Sequence, residues 1–164
     1  MATPLLDHEV LKMQDSDFLN LAGFTLRDFD EITNKNYQDF IAGQDAAVYI
    51  EDESADTAVF KFRSQRVLSC SATYSFNKGK LSSFGFNIKP QGYFKKRVCG
   101  QVYKRTVEVF GQICDMADGK IEASNEAQTK FLIEGKEVSV TNMQHPFTGT
   151  LMVMILCHRI SKKK

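Results

Sequence analysis

The sequence has 164 residues, of which 43% are hydrophobic and 25% are charged, the composition of a single globular domain and not of a disordered or low-complexity chain. Its most apolar stretch, residues 151–157, is far shorter than the roughly 20 residues that a membrane-spanning helix needs. The N-terminus lacks the basic and then apolar segments of a signal peptide, so the sequence predicts a cytoplasmic protein without a membrane partner.

The net charge of +1 conceals two oppositely charged parts of the chain. Residues 1–60 hold thirteen acidic and three basic side chains, a net charge of −10, whereas residues 61–164 carry +11. No Asp or Glu occurs between Thr57 and Val107, yet this segment carries eleven Lys or Arg. Such an asymmetry indicates charged partners, unless the two parts face and neutralise each other.

The first 44 residues are predicted to be helical. A Thr-Pro pair at positions 3–4 suits the start of one helix that runs to about residue 13. A short helical turn is expected over residues 15–21. Thr25 and Asp28 resemble a capping box, and the apolar residues after them follow a helical period, so a further helix is expected to end at Gly43.

Four strands are predicted next, because apolar and polar residues alternate. The last two form a hairpin, in which directly opposed residues must share a face. Pairing Tyr74 with Phe84 satisfies this rule, whereas pairing Asn77 with Lys80 mixes the faces. The sequence therefore predicts the first register, with a loop of three or more residues around Gly79.

A long amphipathic helix is predicted over residues 93–117, with apolar residues on about half of its circumference. Its expected partner is the aromatic face of the preceding hairpin, which would place those aromatic side chains in the core. Two strands follow, joined by a type II′ turn at residues 135–136 that pairs Ile133 with Val138. The last strand, residues 151–160, is apolar at both parities and is expected to be covered on both faces.

These elements predict an α+β fold in the order α-α-β4-α-β3. A mostly antiparallel sheet of about seven strands is packed by N-terminal helices and one long central helix. The whole chain, residues 1–164, is expected to be one domain: a helical segment over 1–44, the sheet with the long helix over 45–160, and a tail over 161–164.

The four cysteines are predicted to be reduced structural thiols. They lie at positions 70, 99, 114 and 157 among apolar residues, and no C-x-x-C pair occurs. A zinc site needs closely spaced ligand pairs, and a calcium loop needs a glycine and a spacing that residues 51–56 lack. The sequence therefore predicts no metal and no cofactor.

No motif of a P-loop or dinucleotide-binding protein, a zincin or an α/β-hydrolase is present. One loop nevertheless offers candidate residues, because Met143, His145 and Phe147 occur close together in it and loops often carry function. A turn packed on itself is the alternative. The sequence favours a non-catalytic protein, and an enzyme with a pocket between the sheet and the long helix stays open as a further hypothesis.

The first functional hypothesis rests on a group of acids around the first strand: Asp45, Glu51, Asp52, Glu53 and Asp56. Opposed surface potentials speed the association of two proteins. The group therefore predicts a protein-binding domain of the inhibitor or immunity type, which neutralises a basic partner such as a nuclease toxin. A merely solubilising surface is the alternative.

The second hypothesis rests on Lys95, Lys96 and Arg97 at the start of the long helix. Cations oppose the helix dipole at this position, so a sequence selected for stability alone would carry acids there. Lys104 lies nearly two turns further on the same face. These residues predict binding of a nucleic acid or another anionic ligand through the basic segment 57–107. An ordinary surface of mixed charge is the alternative, because Glu108 follows.

Overall fold

The computed structural model describes residues 18–42, 48–62 and 68–160. The predicted helix over residues 3–13, the acid Asp45 and the tail 161–164 lie outside these ranges. The elements in chain order are α1 (Phe18–Arg27), a 3-10 helix (Phe29–Glu31), α2 (Tyr37–Ala42), β1 (Val48–Glu53), β2 (Thr57–Phe62), β3 (Leu68–Asn77), β4 (Lys80–Pro90), α3 (Lys95–Met116), β5 (Lys120–Ser124), β6 (Gln128–Ile133), β7 (Lys136–Gln144) and β8 (Leu151–Arg159). Within the described ranges, no helix has the length and apolarity to cross a membrane.

The described strands form one antiparallel sheet of eight strands in the order β1-β2-β3-β4-β8-β7-β6-β5. Each half is a meander of four consecutive strands, and the halves join where β4 pairs with β8. The α+β class and the mostly antiparallel sheet are confirmed. The predicted order is wrong by one strand, because β5 was missed. All five residues of β5 are exposed, so it lacks the alternation of a half-buried strand.

One face of the sheet is apolar and carries the helices. The register places Tyr74, Phe84, Cys157, Val138 and Phe131 in one row across five strands. Each of them is at most 1% exposed. Burial of a large apolar side chain contributes about 1.5–3 kcal/mol, so this row is a major part of the core. The prediction that the aromatic face of the β3–β4 hairpin is core is therefore confirmed.

The register of the β3–β4 hairpin is confirmed along the strands but wrong at the turn. Tyr74 opposes Phe84 as predicted, whereas Asn77 pairs with Lys80 and leaves a loop of only residues 78–79. Both loop residues have positive φ. A bulge just after the turn shifts the register by one residue, and this shift makes the two pairings compatible.

The β6–β7 hairpin turns one residue earlier than predicted. Ile133 pairs with Lys136, and Phe131 pairs with Val138. The loop residues Glu134 and Gly135 have φ of 50° and 77°. Positive φ at both positions is typical of a type I′ turn, so the predicted type II′ turn is wrong.

The predicted helix from Thr25 to Gly43 is also wrong. Thr25 lies inside α1, where its Oγ1 donates to the Leu21 carbonyl at 2.7 Å and hydrogen-bonds the buried Tyr74 hydroxyl. Further along, the Leu81 amide donates to the Ile32 carbonyl at 3.1 Å. The chain after α1 thus pairs with the β3–β4 hairpin, and this tertiary contact overrides the helical period of the sequence.

The long helix is confirmed as α3, but its expected partner is wrong in part: α3 packs over β4 and the second meander, β5–β8, and not mainly on the β3–β4 hairpin. Its Phe110 is fully buried. Strand β8 lies in the middle of the sheet, as expected, but Leu156 on its other face is 42% exposed. The expectation that both faces of this strand are covered is therefore wrong for the part of the chain that the structure describes.

Candidate functional site

Two connecting segments and the start of α3 meet at one end of the sheet. Residues 91–94 follow β4, and residues 145–150 precede β8. The segments are neighbours because Ile88 near the end of β4 pairs with Val153 near the start of β8. We call this surface the basic end, and its exposed cationic and aromatic residues are Lys89, Tyr93, Phe94, Lys95, Lys96, Arg97 and Phe147.

The predicted anion-binding residues of α3 come together at the basic end. Lys95, Lys96 and Arg97 form the first turn of α3 and are all exposed. This turn contains no acid, and the N-cap residue Phe94 makes no side-chain capping bond. The positive end of the helix dipole therefore adds to three cations, an arrangement that costs helix stability and attracts anions.

Lys104, the fourth predicted residue, lies outside this cluster. It is exposed on α3, seven residues after Arg97 and hence on the same side of the helix. Glu108 is exposed one turn further and pairs with Arg105, whose Nη1 is 3.3 Å from Oε2 of Glu108. Beyond Lys104 the surface of α3 therefore carries both signs of charge.

Three exposed aromatic side chains accompany the cations. Tyr93 is 100% exposed, Phe94 55% and Phe147 92%. An exposed aromatic ring gains free energy when it stacks on a planar ligand group. The sequence does not single out Tyr93 and Phe94, because the predicted helix begins at residue 93. The run Tyr-Phe-Lys-Lys-Arg after Gln91-Gly92 is the pattern that indicates aromatic residues beside the cations.

Hydrogen bonds within the loop hold His145, whereas the Phe147 side chain is 92% exposed. His145 Nδ1 accepts hydrogen bonds from the amides of Phe147 and Thr148, each at 3.3 Å. The rings of His145 and Phe147 lie 6.0 Å apart, so these two candidates share one loop. Met143 is separate from them, because it lies within β7 and pairs with Met152.

Only two of the five predicted protein-binding acids have described side chains. Glu53 and Asp56 are exposed at the turn between β1 and β2. Glu51 and Asp52 are described as backbone of β1, and Asp45 lies outside the described residues. Since β1 is an edge strand, charge there also discourages pairing with other chains. The acidic docking patch stays a prediction.

The acidic and basic parts of the chain meet at the opposite end of the sheet. Arg159 pairs with Asp30, and its guanidinium carbon lies 5.0 Å from the centroid of the Phe29 ring. The Asn34 amide donates to the Gly79 carbonyl at 3.0 Å, so the acidic N-terminal segment packs on the hairpin turn that carries two lysines. Part of the charge asymmetry is therefore internal complementarity.

The surplus of positive charge lies at the basic end. Four cations lie there, and the exposed Glu126, in the turn between β5 and β6, is an acid at the same end. This turn is at the same end because the Asn142 amide, near the end of β7, donates to the Ala127 carbonyl at 2.8 Å. An anion approaching this end meets a net positive field.

A cleft of about 370 Å³ is bounded by α1, by the C-terminal half of α3 and by Ile133 at the end of β6. Apolar side chains such as Phe24 and Met116 line it, and its charged groups are Arg27 and Glu134. In the described ranges, no group of three or more His, Cys, Asp or Glu residues is placed to hold a metal ion. The enzyme hypothesis stays a prediction.

The four cysteines are free and buried. Burial raises the pKa of Cys99 to about 11 and that of Cys157 to about 12. Burial, followed by the charge of Asp115, also raises the pKa of Cys114. Protonated, enclosed thiols are poor nucleophiles, so these side chains act as packing groups.

Stability is expected to fall above about pH 9, because the unfolded chain then releases thiol protons that the folded protein retains. The folded pKa values are raised, so the stabilisation is complete below the unfolded value of 9.0 and is lost as pH rises toward the folded values. Each such thiol costs about 1.4 kcal/mol per pH unit in that window. Urea unfolding between about pH 9 and 11 measures how the free energy of unfolding changes with pH. Cys157→Ala should reduce this slope by the contribution of one thiol proton. Equal slopes in both proteins would show that Cys157 keeps an ordinary pKa.

Comparisons with known proteins find no matching family model, no matching curated protein and no matching solved structure. The functional proposal is therefore based on the residues and geometry of the basic end.

Proposed function

We propose that this protein binds single-stranded nucleic acid through the basic end. The observation that carries the proposal is the coincidence of two groups on one surface. Three consecutive cations open α3, two exposed aromatic side chains directly precede them, and the exposed Phe147 lies at the same end of the sheet. Cations neutralise phosphates and release their counterions, while aromatic rings stack on bases at about 1–3 kcal/mol per base.

The exposed rings distinguish this ligand from other anions. A free phosphate offers the exposed rings of Tyr93 and Phe147 no planar group to stack on, and an acidic peptide offers no regular row of planar rings beside its charges. Duplex DNA hides its bases within the stack, whereas a single strand presents them. A single strand therefore uses both the cations and the rings.

Titration of the protein with a labelled single strand of about twelve nucleotides tests the proposal. We expect binding that weakens with salt, with a slope of log K against log salt of about −0.7 per contacted phosphate. A duplex of the same length should bind more weakly. Vesicles with anionic headgroups are the second arm, because cations and aromatic rings also suit a membrane surface. Retention on vesicles with no binding of the single strand would overturn the proposal.

Tyr93→Ala separates stacking from charge. Since the side chain is fully exposed, its removal leaves the fold intact. We expect the affinity for the single strand to fall about tenfold, with the salt slope unchanged. Ile121→Ala is the control, because Ile121 is 58% exposed, is not aromatic, and lies near the start of β5, at the opposite end of that strand from the basic end. An equal loss in both variants would contradict stacking by Tyr93.

An acidic docking protein of the inhibitor or immunity type is the second candidate. The observation in its favour is that Glu53 and Asp56 project from the edge of the sheet, at a turn accessible to a partner. This function requires a tight complex with a basic protein, and the complex should be lost when Glu51, Asp52, Glu53 and Asp56 are reversed together. Affinity capture with that variant as the control distinguishes it from nucleic-acid binding.

A further inference from the structure

The face of the sheet opposite the helices is polar near the basic end. Alternate residues of β3 and β4 point to this face, and the register aligns Ser71 with Asn87 and Thr73 with Gly85. Met154 and Leu156 of β8 continue these two rows. No helix or strand in the part of the chain that the structure describes covers this face. We call it the open face.

Two depressions on the open face share one residue, Asn87. The first, of about 250 Å³, lies nearer the basic end and is lined by Lys61, Ser71 and Lys89 among others. The second, of about 170 Å³, extends toward the middle of the sheet. Neither lining contains an Asp or Glu. Because Asn87 lines both, the two depressions follow one another along β4, with the first nearer the basic end, and we call them the track.

The second depression owes its shape to Gly85. A side chain there would fill the floor, since a Cβ would lie 3.5 Å from the Ile155 carbonyl oxygen and 3.5 Å from Cδ1 of Leu156. Met154 and Leu156 form one wall, and hydroxyl groups such as that of Thr73 stand on the other side. The depression therefore pairs an apolar wall with hydrogen-bonding groups.

We propose that a bound single strand continues from the basic end along this track, with Asn87 contacting the edge of a base. The inference rests on the proposed function and deepens it. An Asn amide both donates to and accepts from a base edge, and Ser or Thr hydroxyls bind phosphate and sugar oxygens. Bases lie against the apolar wall of Met154 and Leu156, and Lys89 holds the backbone where the strand enters.

The length of the track suits a short oligonucleotide. From Ser83 to Lys89 the β4 strand spans six residue steps, or about 20 Å at about 3.3 Å per residue. Sheet-based single-strand sites hold about 4–16 nucleotides. A strand of about four nucleotides fits on the basic end alone, whereas one of about twelve also fills the track.

The experiment compares two isosteric variants on two oligonucleotides. Asn87→Asp converts the shared amide into a carboxylate that repels phosphate and loses its donor. Gln128→Glu is the control, because it makes the same change on the same face, outside the track, where the Gln128 amide bonds Thr141 Oγ1 at 3.1 Å. We expect Asn87→Asp to lower the affinity for the longer strand about tenfold, and the affinity for the shorter one less than about twofold.

Each outcome decides one of the two proposals. Equal affinities of Asn87→Asp and Gln128→Glu for the longer strand would overturn the track and leave binding at the basic end intact. Loss of self-association in Asn87→Asp, with unchanged oligonucleotide affinity, would assign the open face to a second copy of the chain and overturn the track as well. Failure of the unaltered protein to bind either oligonucleotide would overturn the proposed function itself.

Discussion

Charge reversal of Lys95, Lys96 and Arg97 to Glu is expected to lower the affinity for a single-stranded oligonucleotide by about a hundredfold or more. Each cation lost removes a phosphate contact together with its counterion release, and each acid gained repels the strand. The three residues occupy the first turn of α3, so the change falls on one continuous patch. The effect should shrink as salt rises, because the interaction is electrostatic.

Replacement of the same three residues by Ala measures how many phosphates they contact. If each meets one phosphate, the slope of log K against log salt should become about 2 units less steep, since a single strand contributes about 0.7 per phosphate. The free energy of unfolding should stay constant or rise in the Ala variant, because three cations that oppose the helix dipole are removed. In the Glu variant it should stay constant or rise, because acids in the first turn favour the helix dipole. A loss of binding then cannot be attributed to unfolding.

Reversal of Lys35, Lys78 and Lys80 is the matched control for the charge experiment. These three lysines are exposed, and they lie at the opposite end of the sheet from α3's first turn. Because Lys78 and Lys80 flank the turn on which the acidic N-terminal segment packs, this control counts only if its free energy of unfolding equals that of the unaltered protein. The two triple variants have the same net charge. If both lose affinity equally, the strand responds to the overall field of the protein, and the basic end is not a site.

The sequence predicted the register along β3 and β4 because each strand alternates cleanly. Tyr74 and Phe84 belong to apolar sets that align in only one way, so the pairing could be inferred locally. The turn at residues 78–79 could not, since a bulge next to it changes the register without changing the pattern. Strand β5 lacks a buried side and therefore gave no pattern to detect.

The helix boundaries after α1 depended on contacts between distant parts of the chain. Thr25 looks like a cap in sequence, and its hydroxyl bonds a tyrosine forty-nine residues away. The break near Ile32 follows from pairing with the β3–β4 hairpin, which no local period reveals. Propensity and periodicity are weak where such tertiary hydrogen bonds compete with them.

The sequence predicted the cations of the candidate site but not its aromatic residues. Lys95, Lys96 and Arg97 stood out because cations at a helix start act against stability. Their aromatic neighbours did not, since nothing local shows that Tyr93 precedes the helix or that Phe147 lies at the same end. The acidic patch was fully visible in the sequence, but its role was not. The acids lie on the edge strand β1, where charge also discourages pairing with other chains.

Gly119→Ala is expected to destabilise the fold by about 3 kcal/mol, although the residue lies on no functional surface. Gly119 connects α3 to β5, and its amide donates to the Cys114 carbonyl at 2.8 Å. A Cβ added there would lie 2.4 Å from the Leu132 carbonyl oxygen and 2.7 Å from Cys114 Sγ. The first of these is backbone of β6 and cannot rotate away, so the end of α3 must separate from the sheet.

Gly100→Ala is the control for this substitution. Gly100 lies inside α3, and an added Cβ there meets no atom within 4 Å. Alanine in a helix interior is favoured over glycine by about 0.5–1 kcal/mol, so this variant should be more stable than the unaltered protein. Urea denaturation of the two variants measures both shifts.

Because α3 joins the two meanders, loss of its contact with β6 at Gly119 should leave the first meander folded to a higher urea concentration than the second. A single unchanged transition for Gly119→Ala would mean that β6 yields to the added methyl group, and that this connection between α3 and the sheet is looser than its contacts indicate.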